Sequence, residues 1–138
     1  MNIVSGEKIQ NVCDYYLGTR AHLSYNSFIY SQNHKHLCID SSDIAEQMKK
    51  PDLRALFCYL PLLETHLQPL VEALSHATSP ITLFFHNGDT TFTQAHANAL
   101  LQIKSITCIY TQNLSISPCD KLKPLPIGIA NSMWAHGN

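Results

Sequence analysis

The plainest pattern along the chain lies in its second half, where short uninterrupted apolar runs alternate with stripes at helical spacing. Ala55–Leu60 (ALFCYL), Ile81–Phe85 (ITLFF) and Ile106–Tyr110 (ITCIY) are apolar from end to end. Such runs predict strands buried on both faces, as in a parallel sheet. Between the first two, Pro61 suits a helix start, and Leu63, Leu67, Leu70, Val71 and Leu74 form one stripe. Pro69 falls inside it and predicts a kink or a break into two helices. Ser79–Pro80 marks a turn. Between the second pair, Thr91 and Gln94 have capping-box spacing, followed by a stripe of Phe92, Ala95, Ala99, Leu100 and Ile103. Leu125–Ile129 (LPIGI) reads as a fourth strand, short because Pro126 cannot donate to a ladder.

The first half is less regular. Ile9, Val12, Cys13, Tyr16 and Leu17 recur at helical spacing, with Ser5 as N-cap, Glu7 in the first turn and Gly18 as the stop. A helix over 5–18 is expected. Phe28–Tyr30 and Leu37–Ile39 are candidate short strands around a polar turn at Gln32–His36. Asp43–Lys50 predicts a short helix ended by Pro51. Strand, helix, strand, helix, strand specifies βαβ units, which need right-handed crossovers. The expected fold is α/β, an open parallel sheet with helices on both faces, in one domain spanning 1–138.

Composition narrows what such a domain does. Of the 138 residues, 45% are hydrophobic and 14% charged, which suits a packed core and excludes disorder. The net charge is −1 and the nine Lys and Arg are scattered, so no basic footprint for nucleic acid exists. No apolar stretch approaches the roughly 18 residues of a membrane span, and the N-terminus lacks the pattern of a secretory signal. A cytoplasmic setting is expected. The five cysteines are odd in number and widely spaced, which fits reduced, buried thiols better than a disulfide scaffold.

Motifs exclude further classes. There is no GxGxxG after a strand, no GxxxxGK[ST] loop and no GxSxG elbow. No cofactor is expected. His34, His36 and Cys38 alternate as zinc ligands on one strand face could, but no second ligand cluster accompanies them, so a metal is not expected either. Asp40 and Asp43, flanking Ser41 and Ser42, read as helix-cap residues rather than an acid–base pair.

In open α/β sheets ligands bind beyond the carboxyl ends of the strands. That rule selects His86, Asn87, Gly88 and Asp89 after ITLFF. It selects Thr111, Gln112 and Asn113 after ITCIY, and Asn131, Ser132, Trp134 and His136 after LPIGI. Amides donate and accept together, which suits hydroxyl-rich ligands, and an aromatic face suits the C–H face of a sugar. Taken singly, Asn, Asp and Gly after a strand are ordinary turn and cap residues. Asp89 could cap the next helix, Asn113 close a turn, and Trp134 pack in the core. Taken as a set, they favour a ligand-binding edge.

The segments FFHNGDTTF (Phe84–Phe92), IYTQNL (Ile109–Leu114) and KLKPLPIGIANSMWAHGN (Lys121–Asn138) resemble exostosin-like glycosyltransferase-related proteins of giant DNA viruses. The resemblance covers Ala55–Asn138, and its last block is long and specific. It implies a Rossmann-like, acceptor-side half of a two-domain glycosyltransferase fold, with a nucleotide sugar held by a second half beyond Asn138. On that resemblance His86 and Asp89 are candidate catalytic base or orienting residues. Asn87, Gln112, Asn113, Asn131, Ser132 and His136 would bind ligand hydroxyls, with Trp134 stacking or packing beneath them. Gly88 departs from the group's usual Ser. The other readings are a non-catalytic glycan- or protein-binding module and a homodimer formed through the exposed sheet edge.

Overall fold

In the computed structural model of the chain, the residues described are 9, 12–23 and 35–125. Six strands form one sheet: β1 (Tyr15–Gly18), β2 (Lys35–Cys38), β3 (Ala55–Tyr59), β4 (Ile81–His86), β5 (Ile106–Thr111) and β6 (Leu122–Pro124). Their order is β2-β1-β3-β4-β5-β6 and every neighbouring pair is parallel. The expected open parallel α/β sheet is therefore what the chain forms. Because all strands run the same way, their carboxyl ends share one rim.

The first strand corrects the sequence reading. Tyr15–Gly18 was expected to close a helix, but it is a strand between β2 and β3. Ser5 and Glu7 lie outside the described residues. Of the described helical stretch, Ile9 is buried and accepts from the Cys13 thiol at 3.4 Å, whereas Val12 is 66% exposed and off the expected stripe. The stretch ends at Asp14, whose N–H donates to Ala55 O (2.9 Å) and whose carboxylate accepts from Ala55 N–H (3.2 Å). Tyr15, Tyr16 and Leu17 are then buried on both sheet faces, and a doubly buried strand has no period to contradict a helical stripe running into it.

Other differences are shifts of register. β2 begins at Lys35, so Lys35 and His36 belong to a strand rather than a turn. The expected strand at Phe28–Tyr30 lies outside the described residues. β6 is Leu122–Pro124, ahead of the expected Leu125–Ile129, of which only Leu125 is described; its N–H donates to Thr111 O at 2.7 Å.

The helices are α1 (Arg20–Leu23), α2 (Ile44–Gln47), α3 (Leu62–Thr65), α4 (Leu67–Leu74) and α5 (Gln94–Leu100). The break anticipated from Pro69 occurs at His66 (φ −141°), which separates α3 from α4. Pro69 lies in the first turn of α4, where its missing N–H has no intrahelical acceptor to lose. The cap of α5 is Thr93, not Thr91. Its N–H donates to His96 Nδ1 at 3.0 Å, so histidine takes the place glutamate usually holds in a capping box. Within the expected stripe Phe92, Leu100 and Ile103 are buried, whereas Ala95 is exposed and Ala97 takes its place inside.

Two clusters make the core. On one sheet face Leu56, Cys58, Leu83, Phe85 and Ile109 pack with Met48, Leu63, Leu70, Leu74, Ala97 and Leu100 from the segments bearing α2 to α5. On the other, Tyr16 and Phe57 pack with Ile9 and Cys13. Over β4 and β5 that second face is only half-buried, and Phe84 and Tyr110 stack there at 5.2 Å, with Lys123 Nζ 5.9 Å from the Tyr110 ring. Among the described residues no helix is long and apolar enough to cross a membrane.

Candidate functional site

The exits of β4 and β5 are knitted into one structure. His86, the last residue of β4, is 4% exposed, and its carbonyl accepts from Leu60 N–H at 2.9 Å. Next to it Asn87 turns the chain through a left-handed conformation (φ 64°), and Asn113 does the same after β5 (φ 53°). Asparagine is among the few non-glycine residues that enter this region readily. Gln112 N–H donates to Phe85 O at 3.1 Å, holding the two exits side by side. The Asn113 amide crosses to the other loop, where Nδ2 donates to Gly88 O (3.2 Å) and Thr90 O (3.3 Å). Phe92 N–H returns to Asn113 O at 3.0 Å, and Ser115 Oγ donates to Phe92 O at 2.8 Å.

Within this frame the side chains differ in role. His86 Nδ1 donates to Asn87 Oδ1 at 2.9 Å. Among the described residues, Asn87 Nδ2 and Gln112 Oε1 are buried without a hydrogen-bond partner, one donor and one acceptor on neighbouring strand exits. An unpartnered buried polar atom costs about 1–3 kcal/mol, so such atoms are uncommon unless water, ion or ligand completes them. Asp89 is exposed and does not cap α5. Gly88 is held by close packing: a Cβ there would stand 2.7 Å from Pro61 Cδ and 2.9 Å from Cγ. The space a serine would need is filled by the residue that opens the segment after β3.

Of the candidate residues, the structure thus brings His86, Asn87, Gly88 and Asp89 onto one rim with Thr111, Gln112 and Asn113. Asn131, Ser132, Trp134 and His136 lie outside the described residues. The turn reading and the ligand reading divide among them. Asn113 closes a turn, while Asn87 and Gln112 carry unused hydrogen-bonding capacity.

Sequence reasoning missed a second part of the rim. With β1 recognised as a strand, the chain moves to one side for β2 and to the other for β3 and beyond, so the strand order reverses between β1 and β3. Asp40, two residues past β2, sits there. Its Oδ2 accepts from Arg20 N–H at 3.4 Å, and its Oδ1 lies 3.7 Å from His66 Nε2. The signal was available as Gly18 ending an apolar run with an acidic residue about 20 positions later.

The remaining candidates are separate from these groups. His36 stacks on Tyr16 (5.7 Å, 21°) and Cys38 is half-buried; His34 lies outside the described residues. Among the described residues no group of three or more His, Cys, Asp or Glu could hold a metal ion. Burial, and then the charge of Asp14, push the Cys13 thiol up to about 12, and burial raises Cys58 as well, which leaves both as inert core thiols. A shallow groove of about 370 Å³ runs along the opposite rim, beside Val71, Ser75, Ile103 and Lys104. It is remote from the strand exits.

Comparison with known proteins finds no matching family model, no similar curated protein and no similar solved structure. The rim itself is what bears on function. It offers paired amide donors and acceptors, one buried imidazole and one exposed carboxylate on a backbone fixed by cross-loop hydrogen bonds. Such groups can both donate to and accept from a polar ligand, and among the described residues of the two exits, 86–92 and 111–115, there is no Lys or Arg.

Proposed function

We propose that the chain is a glycosyltransferase-like module that takes a sugar or glycan acceptor at the carboxyl ends of β4 and β5. The observation that carries this reading is the pair of unpartnered amide atoms, Asn87 Nδ2 and Gln112 Oε1, on adjacent exits locked together by Asn113. Sugar hydroxyls donate and accept at once, and a fixed set of amides is the matching surface. The residues shared with the exostosin-like group, His86-Asn87, Asp89 and Gln112-Asn113, fall on this same rim.

One observation favours a binding role over catalysis by these residues. A general base must reach the acceptor hydroxyl. His86 is buried and its Nδ1 is engaged by Asn87, which suits an orienting group; Asp89 is the exposed acid. Saturation-transfer NMR with a panel of glycans and nucleotide sugars, alongside a transfer assay, separates the readings. Binding is expected for glycans, and Asp89→Asn is expected to abolish any transfer while leaving binding within about threefold. Absence of glycan binding across the panel overturns the proposal.

A further inference from the structure

The strand order reverses between β1 and β3, which marks a switch point on the rim that the β4–β5 reading does not use. In doubly wound sheets of the order 2-1-3-4-5 ligands sit at that switch point, outside the carboxyl ends of the strands. Here the surrounding backbone is firm, since Ile39 N–H donates to Gly18 O at 2.9 Å and ties the β1 and β2 exits together. Asp40 and His66 meet there. Asp40 follows β2, and His66 arrives from the far side because the helical segment after β3 breaks there.

Their hydrogen bonding fixes what they present. Thr65 Oγ1 donates to Pro61 O at 3.1 Å, which leaves His66 Nδ1–H to donate to Thr65 Oγ1 at 2.7 Å. In the neutral ring Nε2 is then an acceptor. It faces Asp40 Oδ1, a second acceptor, at 3.7 Å, too long for a direct bond. The two side chains are 32% and 44% exposed, so both are open to a ligand. Two acceptors at this separation match two neighbouring hydroxyls that both donate.

We infer that the Asp40–His66 pair at this switch point binds the ribose cis-diol of a ribonucleoside, one hydroxyl donating to Asp40 Oδ1 and the other to His66 Nε2. The acid at the end of β2, about 20 residues past the first strand, occupies the place from which α/β nucleotide-binding sheets hold a ribose. A hexose can also present a cis-diol, and the test separates the two. This site is independent of the amides after β4 and β5.

The test is titration of the ¹⁵N-labelled chain with adenosine and with uridine, followed by amide shifts. Expected are shifts confined to Gly18–Arg20, Ile39–Ser41 and His66, with binding weakened about tenfold or more for the 2′-deoxynucleosides. Asp40→Asn and His66→Gln should each weaken the ribonucleosides by a similar factor without lowering Tm. Equal binding of ribo and deoxy forms overturns the inference, as does methyl galactoside binding here as well as a nucleoside. Unmoved amides at millimolar ligand overturn it too.

Discussion

The two ends of the carboxyl rim are built differently. After β4 and β5 the loops are sewn to each other through Asn113, Phe92 and Ser115, and His86, Thr90, Thr111 and Gln112 are buried. After β1 and β2 one backbone hydrogen bond joins the exits, and the half-buried His66 and exposed Asp40 side chains stand 3.7 Å apart without a direct hydrogen bond. The first end resembles a prepared surface whose geometry is fixed before any ligand arrives. The second presents a carboxylate and an imidazole 3.7 Å apart, with no direct hydrogen bond between them. Preorganisation lowers the ordering cost of binding, so the β4–β5 end should discriminate by shape and the β1–β2 end by charge and hydrogen bonding.

The largest effect on this contrast should come from Phe92→Ala. Phe92 is fully buried, bridges the two loops through its backbone and packs against Phe85 and His96. Its loss should cost about 3–5 kcal/mol in chemical denaturation. Gly88→Ala comes next at about 1–3 kcal/mol, because the new methyl meets the Pro61 ring. A milder break is Asn113→Gly, which keeps the left-handed backbone yet removes both cross-loop bonds. It should cost about 1 kcal/mol by the same measurement and raise amide exchange at Gly88–Thr90.

The smallest effect concerns pH. Burial lowers the His96 pKa from its ordinary value, partly opposed by Glu64, and its Nδ1 accepts from Thr93. The unfolded chain therefore binds the proton first as pH falls. Stability from this group is complete above about 6.5 and is lost below it, through the lowered folded value. Thermal melts should show a drop on acidification that His96→Gln reduces, and an unchanged slope in that variant would contradict the assignment.

How much of this was readable beforehand follows from burial. β3, β4 and β5 are long apolar runs separated by capped or proline-marked helices, so pattern alone located them and the residues at their exits. β1 was hidden because Tyr15-Tyr16-Leu17 continues the spacing of the preceding helical turn, and only pairing with β2 and β3 makes it a strand. That one misreading concealed the switch point, and Asp40 was read as a cap. The cap of α5 was missed because histidine stands where the pattern calls for Glu or Gln. Gly88 read as an ordinary turn residue, whereas its requirement comes from Pro61, a contact between separate segments that no local spacing encodes.

The central claim is that the residues after β4 and β5 act as one surface for a polyhydroxylated ligand. It is tested most directly by following the amides of His86–Asp89 and Gln112–Asn113 during titration with methyl glycosides. The account predicts that both groups shift together, with one common Kd, while the opposite rim at Ser75 and Lys104 stays still. Shifts in one group without the other, or confined to the opposite rim, would contradict it.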